Sequence, residues 1–291
     1  MFIATLLTRP ETPILDRAAV ESLRNAWGGG DAVWLDPGVA AEFPLDRMPD
    51  NRWQVWEAFQ AMRIDLVVQK AQGRRKRFLI ADMDSTMIQQ ECIDELADEA
   101  GVGPYVAGIT ARAMNGELDF ESALRERVGL LKGLPVAVID RVLRDRITLM
   151  PGGRALLATM KAHGAYAALV SGGFTAFTSR IAGLLGFDES RANTLLTEGE
   201  VLSGQVAQPI LGKAAKLQAL EDIAARLGID PSEAIAVGDG ANDLAMLHRA
   251  GTGVALHAKP SVAAQCEVRV NHGDLTALLY LQGYAREEFA A

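Results

Sequence analysis

Three short apolar runs, at residues 78–81, 165–170 and 234–237, each end abruptly in a polar cluster. The clusters are Asp82-Met83-Asp84-Ser85-Thr86, Ser171-Gly172-Gly173 and Gly238-Asp239-Gly240-Ala241-Asn242-Asp243. Runs this short and unbroken suit strands buried on both faces, as in a parallel sheet. Helical stretches separate them, so the pattern predicts an α/β fold with a doubly wound parallel sheet. In such a sheet the carboxyl ends of the strands lie along one edge, where ligands bind. Each cluster alone has a plain explanation as a turn or a helix cap. Three on one edge, rich in oxygen ligands, point to a site.

The rest of the chain divides around that sheet. Residues 1–72 are expected to form a small α/β unit: strands near 2–7, 32–35 and 64–68, helices near 17–27 and 53–62, and a break at Gly28-Gly29-Gly30. This order resembles a degenerate ACT-type regulatory module, and a structural or dimerisation role is expected there. Residues 73–291 hold the three strand ends, with four short helices between about 88 and 150 read as an inserted cap. A hairpin is expected at 192–206, where Gly199 and Gly204 mark turns. A chain of 291 residues has room for both units.

Charge and composition exclude several classes of function. The net charge of −8 argues against nucleic acid as the main partner. Arg74-Arg75-Lys76-Arg77 reads as a solvated or domain-facing run just before the first core strand. No apolar run is long enough to cross a bilayer, and no charged-then-apolar leader opens the sequence. The two cysteines, Cys92 and Cys266, lack zinc-ligand spacing and read as core thiols, which suits the cytoplasm. A homodimer is compatible with all of this.

The residue types at the strand ends specify a chemistry. Hard oxygen ligands without neighbouring histidine or cysteine favour Mg²⁺ over zinc. Asp82 and Asp239 are the candidates to hold the ion beside a phosphate. An aspartate can become phosphorylated and so split hydrolysis into two displacements. A second carboxylic acid can protonate the leaving alkoxide and later take a proton from water. Ser171 and the amides after it, expected to open a helix, can donate to phosphoryl oxygens. A lysine is expected to balance the remaining charge. Ser171 has no evident histidine base, and His163, His248, His257 and His272 show no ligand spacing.

Taken together, the three motifs resemble those of the haloacid dehalogenase superfamily over about residues 77–280, most closely its branch acting on O-phospho-L-serine. The resemblance implies Asp82 as nucleophile and Asp84 as general acid/base. It implies Mg²⁺ held by Asp82, the main-chain carbonyl of Asp84, and Asp239, with Asn242 and Asp243 in support. Lys213 and Lys216 compete for the phosphate-binding role, and the spacing to Asp239 matches Lys216 in the family. Glu91 resembles the residue that meets the substrate ammonium, and Arg127 the one that forks its carboxylate. Met114 and Phe120 resemble the apolar residues closing over the substrate, and Ser171 and Gly172 those holding phosphate. Without the resemblance, Glu91 and Arg127 read as a solvated helix face and Met114 and Phe120 as core. The implied activity is hydrolysis of O-phospho-L-serine, the last step of serine biosynthesis. Two alternatives stand beside it: the same chemistry on another small phosphomonoester or with transfer to an alcohol, and an amino-acid-sensing protein with a silent site.

Overall fold

The computed structural model describes residues 1–114 and 117–290, and the side chains of Met114 and Lys213 lie outside the description. The expectation for Met114 as a closing residue, and the Asn115-Gly116 part of the cap motif, therefore fall outside the described residues. The N-terminal unit runs β1 (Phe2–Leu7), α1 (Arg17–Trp27), β2 (Val33–Asp36), β3 (Ala40–Leu45), α2 (Arg52–Ala61) and β4 (Asp65–Lys70). Its four strands form an antiparallel sheet in the order β2-β3-β1-β4. β3 corrects the sequence reading, which has no strand there. Pro44 argues against a strand interior because it cannot donate to a ladder. β2 pairs with β3 only as far as Glu42; beyond it Gly30 donates its N–H to Pro44 O, a contact that needs no donor from the proline. With β3 included, the unit has the βαββαβ order of split-βαβ folds.

The larger sheet has six strands in the order β12-β11-β10-β5-β6-β7, and every neighbouring pair is parallel. They are β5 (Phe78–Ala81), β6 (Tyr166–Phe174), β7 (Glu189–Asn193), β10 (Ala234–Gly238), β11 (Thr252–Leu256) and β12 (Val268–Val270). β5 and β10 are buried along their whole length, which explains their unbroken apolar sequences. Side chains alternate between two cores: Phe78 and Ile80 pack with Leu220 and Ile223, while Leu79 and Ala81 pack with Leu156 and Leu169. Helices α7 (Gly153–Ala162), α8 (Thr175–Leu185), α9 (Lys213–Leu227), α10 (Leu244–Arg249), α11 (Pro260–Ala263) and α12 (Ala277–Leu281) complete this part. A second correction concerns Ser171-Gly172-Gly173, which continue β6 and do not open a helix; α8 begins at Thr175.

After β5 the chain leaves for four helices, α3 (Cys92–Glu99), α4 (Gly103–Met114), α5 (Phe120–Gly129) and α6 (Ala137–Asp145). The outgoing and returning segments pair with each other at Ile88 and Leu149, so the cap is inserted through a two-stranded neck. The expected hairpin is β8 (Leu195–Glu198) with β9 (Val201–Val206), starting later than the sequence suggests because residues 189–193 belong to the main sheet. The hairpin is fastened to the cap by three backbone hydrogen bonds: Gly133 N–H to Leu202 O, Leu202 N–H to Leu134 O, and Val136 N–H to Glu200 O.

The two sheets are joined by buried polar contacts. Asp65, fully buried at the start of β4, accepts hydrogen bonds from the amides of Asn271, His272 and Gly273 at 2.8–2.9 Å. Arg74 forks Glu42 across the two units, while Arg75 pairs with Glu288 and Arg77 with Glu233 on the surface of the larger one, so the basic run faces its neighbours. Arg269 lies over Trp53, with 4.0 Å between its guanidinium carbon and the ring centroid.

Candidate active site

Parallel register brings the three clusters together. Ala81 of β5 pairs with Val237 on one side and Leu169 on the other. Asp82 is therefore one residue beyond a common level, and Ser171 and Asp239 are each two beyond it. Neighbouring strands lie about 4.8 Å apart, so the three residues converge on one edge. The Asp82 amide still donates to Val237 O, after which the chain turns back over Met83, whose carbonyl accepts from Thr86, Met87 and Ile88. Met83 is fully buried, which leaves the flanking carboxylates on the open side. Ser85 adopts φ +54°, the left-handed conformation that costs a non-glycine residue energy and recurs at functional sites.

The clusters form one end of a cavity of about 820 Å³, in the size range of small-molecule sites. Asp82, Asp84, Glu91, Phe120, Arg127, Ser171, Gly172, Asp239 and Asn242 line it together. Lys216 and Asp243 sit directly behind. The Lys216 ammonium is 2.6 Å from Asp82 Oδ2 and 2.6 Å from Asp243 Oδ1, and both side chains of the latter pair are sealed from solvent. Asp243 Oδ2 accepts from the Gly240 amide. Thr86 Oγ1 donates to Asp239 Oδ1 at 3.1 Å. Asp84 Oδ1 accepts from the Cys92 amide at the start of α3, and a Cβ on Gly173 would come within 2.7 Å of Asp84 Oδ2. Only glycine allows β6 to pass so close to that carboxylate.

Glu91 and Arg127 come from the cap. Glu91 ends the loop before α3 and accepts from Ser85 Oγ at 2.7 Å. Arg127 is buried on α5, donating from Nε to Ala123 O and from Nη1 to Thr110 Oγ1, which in turn donates to Asp94. Phe120 lies over the strand end: a Cβ on Gly172 would meet its ring at 2.8 Å. Sequence reasoning assigns no role to Thr110, Asp94 or Asn193, and reads Gly173 only as one of the amides after Ser171. A hydroxyl two residues after Asp84 is a visible signal for Thr86, whereas Asn193 falls without distinction inside the stretch expected to form a hairpin.

Crowded carboxylates in a buried space shift one another. Burial pushes the Asp82 carboxyl well above its usual range, and Asp243 adds to this while Lys216 opposes it. Burial likewise raises Asp84. Asp239 is pushed up to about 7, first by burial and then by Asp243. Glu91 is pushed up to about 8 by burial and then by Asp84. Burial works against the Lys216 charge, but Asp243 and Asp82 outweigh it and hold the ammonium above the ordinary lysine value. Desolvation lowers Arg127, with Asp94 and Glu91 opposing. The site is thus a strained anionic cluster suited to receive a cation.

Residues 79–248 match the family of haloacid dehalogenase-like hydrolases. The phosphoserine phosphatase of Streptomyces coelicolor is 44% identical over 99% of this chain and 72% of its own length. Among solved structures, a haloacid dehalogenase family hydrolase from Salmonella enterica serovar Typhi aligns with TM-score 0.86 and 35% identity, covering 97% of this chain and 98% of that one. A phosphoserine phosphatase structure described as a phospho-aspartyl intermediate analogue aligns with TM-score 0.68 and 39% identity over 71% of this chain and 98% of its own. With these relatives and this constellation of strand-end carboxylates, the chain belongs to the haloacid dehalogenase-like hydrolases and, within them, to the phosphoserine phosphatase family.

Proposed function

We propose that the chain hydrolyses O-phospho-L-serine to L-serine and phosphate through a phosphorylated Asp82. One observation carries this reading: a single cavity presents Asp82, Asp84 and Asp239 at the sheet edge and Glu91 and Arg127 from the cap. The first group suits a phosphate, and the second suits an ammonium and a carboxylate, the two charges that distinguish phosphoserine from a simple ester. The relative solved as a phospho-aspartyl intermediate analogue supports the covalent route.

Asp82, Asp239 and Asp243 offer carboxylate oxygens within 4.8 Å of one another, a donor set that fits a hard divalent cation. Asp82, Asp239 and the main-chain carbonyl of Asp84 would hold Mg²⁺, with Asp243 kept behind by Lys216 and Gly240. The ion, when bound, offsets the negative charge between phosphate and nucleophile. Asp82 attacks phosphorus as the bond to the serine oxygen breaks, and Asp84 gives its proton to that oxygen. The raised Asp84 carboxyl suits this donor role. Asp84 then takes a proton from the water that attacks the aspartyl phosphate, freeing Asp82. Lys216 and Ser171 stabilise phosphoryl oxygens, Asn242 supports the phosphate end, and Phe120 excludes water. The assigned place is serine biosynthesis in the cytoplasm, which suits the free thiols of Cys92 and Cys266. Among the described residues no helix is long and apolar enough to cross a membrane.

Phosphate release from a panel of phosphomonoesters tests this, with Mg²⁺ and with chelator, for the wild type and Asp82→Asn. Phosphoserine is expected to lead the panel and to be lost in chelator and in the variant. Glu91→Gln and Arg127→Ala should lose phosphoserine turnover at least roughly tenfold more than aryl phosphate turnover. Preference for another ester would overturn the substrate assignment and leave the chemistry standing.

A further inference from the structure

Asn193, the last residue of β7, makes three hydrogen bonds that meet at the phosphate end of the cavity, although no role in catalysis attaches to it so far. Its side chain is buried, with 3% of the residue exposed. Nδ2 donates to Gly172 O at 2.8 Å and to Leu211 O at 3.3 Å, and Oδ1 accepts from the Leu211 amide at 2.7 Å. One side chain thereby clips two separate segments, the end of β6 and the residue two before α9.

The consequences follow from peptide geometry. In a planar trans peptide the C=O and the next N–H point in opposite directions. Because Asn193 draws the Gly172 carbonyl outward, the Gly173 N–H is turned the other way, where it donates to Ser171 Oγ at 2.9 Å. A hydroxyl that is accepting in this way keeps its own proton for another partner. On the second segment, the two-way clasp on the Leu211 backbone fixes the entry to α9, and Lys216 lies in the first turn of that helix. The Lys216 ammonium then has one reach, between Asp82 and Asp243.

We propose that Asn193 is a positioning residue that sets the Ser171 hydroxyl and the Lys216 ammonium relative to each other, so that both address the same phosphoryl group. The proposal rests on the phosphatase reading above. It also separates two jobs within the cavity: Asn193 governs the phosphate, which every substrate shares, while Glu91 and Arg127 govern the serine moiety. A change at Asn193 should therefore weaken all phosphate ligands alike and leave selectivity untouched.

Asn193→Asp is the sharpest variant. It keeps the shape and can still accept from the Leu211 amide, but it sets a carboxylate oxygen against the carbonyls of Gly172 and Leu211. Asn193→Ser keeps one donor on a shorter arm and serves as the milder variant should Asn193→Asp not fold. The readouts are KM for phosphoserine and for an aryl phosphate, the inhibition constant of inorganic phosphate, and the melting temperature, all with Mg²⁺ present. Lost or reversed hydrogen bonds should raise both KM values and the inhibition constant by roughly tenfold or more in Asn193→Asp and by roughly threefold in Asn193→Ser. The ratio of phosphoserine to aryl phosphate turnover should stay as in the wild type. Lower melting temperatures with unchanged constants in the folded variants would overturn the proposal and leave Asn193 a structural clip. A selective loss of phosphoserine turnover would also overturn it. Absence of wild-type turnover on either ester would instead overturn the underlying phosphatase reading.

Discussion

Replacing Asp239 by asparagine should make the metal-free protein more stable while removing its response to Mg²⁺. The Asp239 carboxyl titrates near 7 in the folded chain, because burial and then Asp243 penalise its charge, against 3.8 in an unperturbed aspartate. Between those values the folded state holds a proton that the unfolded state has released. Stability therefore falls as pH rises from about 4 to 7, and the full penalty applies above that range. About three pH units correspond to about 4 kcal/mol, of which the Asp239→Asn variant should recover on the order of 2–4 kcal/mol, since Asp243 keeps its partner Lys216. For a chain of this size that is a rise of roughly 5–10 °C in melting temperature. The amide oxygen can still accept from Thr86, so the local geometry is retained. Thermal melts of both proteins at about pH 8 and pH 5, with chelator and with Mg²⁺, read all of this. The gain should appear in chelator at the higher pH and shrink to less than half at the lower, while added Mg²⁺ should raise only the wild type. A variant less stable than wild type in chelator at the higher pH, or one with an equal gain from Mg²⁺, would refute the reasoning.

Two further outcomes follow from single contacts. Gly172→Ala would place a methyl group 2.8 Å from the Phe120 ring, so the ring must move from the mouth of the cavity. KM for phosphoserine should rise roughly tenfold with a smaller change in melting temperature, and unchanged kinetics would show that Phe120 does not close the site. Asp65→Ala would strip three backbone amides of one buried acceptor, costing about 3–5 kcal/mol in urea denaturation. A loss below about 1 kcal/mol would mean that the contact between the sheets is not built on Asp65.

The catalytic edge was legible because parallel topology makes strand ends meet whatever lies between them in sequence. Asp82, Ser171 and Asp239 could be grouped from apolar runs and their terminators alone. Glu91 and Arg127 were different, since a charged residue on an amphipathic helix looks the same whether it faces water or a cavity. Only the likeness to a family brought them forward, and folding then placed both on the cavity wall. β3 escaped because Pro44 carries a strong local signal that tertiary context cancels, the neighbouring strand having already ended. Asn193 escaped for a deeper reason: its value lies in joining two segments that are 21 and 18 residues away, and no local pattern records such a partnership.

The fastening of the β8–β9 hairpin to the cap changes what counts as the moving part of this molecule. The cap forms one wall of the cavity, and it is tied to the hairpin by three main-chain hydrogen bonds that no side-chain rotation can release. The hairpin belongs to neither large sheet; it is a free ribbon entered just after Asn193 and left just before the 208–212 segment. Opening therefore either breaks all three bonds at once or carries the ribbon along with the helices. In the second case the door has three hinges: one at the Ile88–Leu149 neck and two where the ribbon joins its strand and its helix. The last two flank the very side chain that clips Gly172 to Leu211, so the swing of the door and the grip on phosphate share a common post.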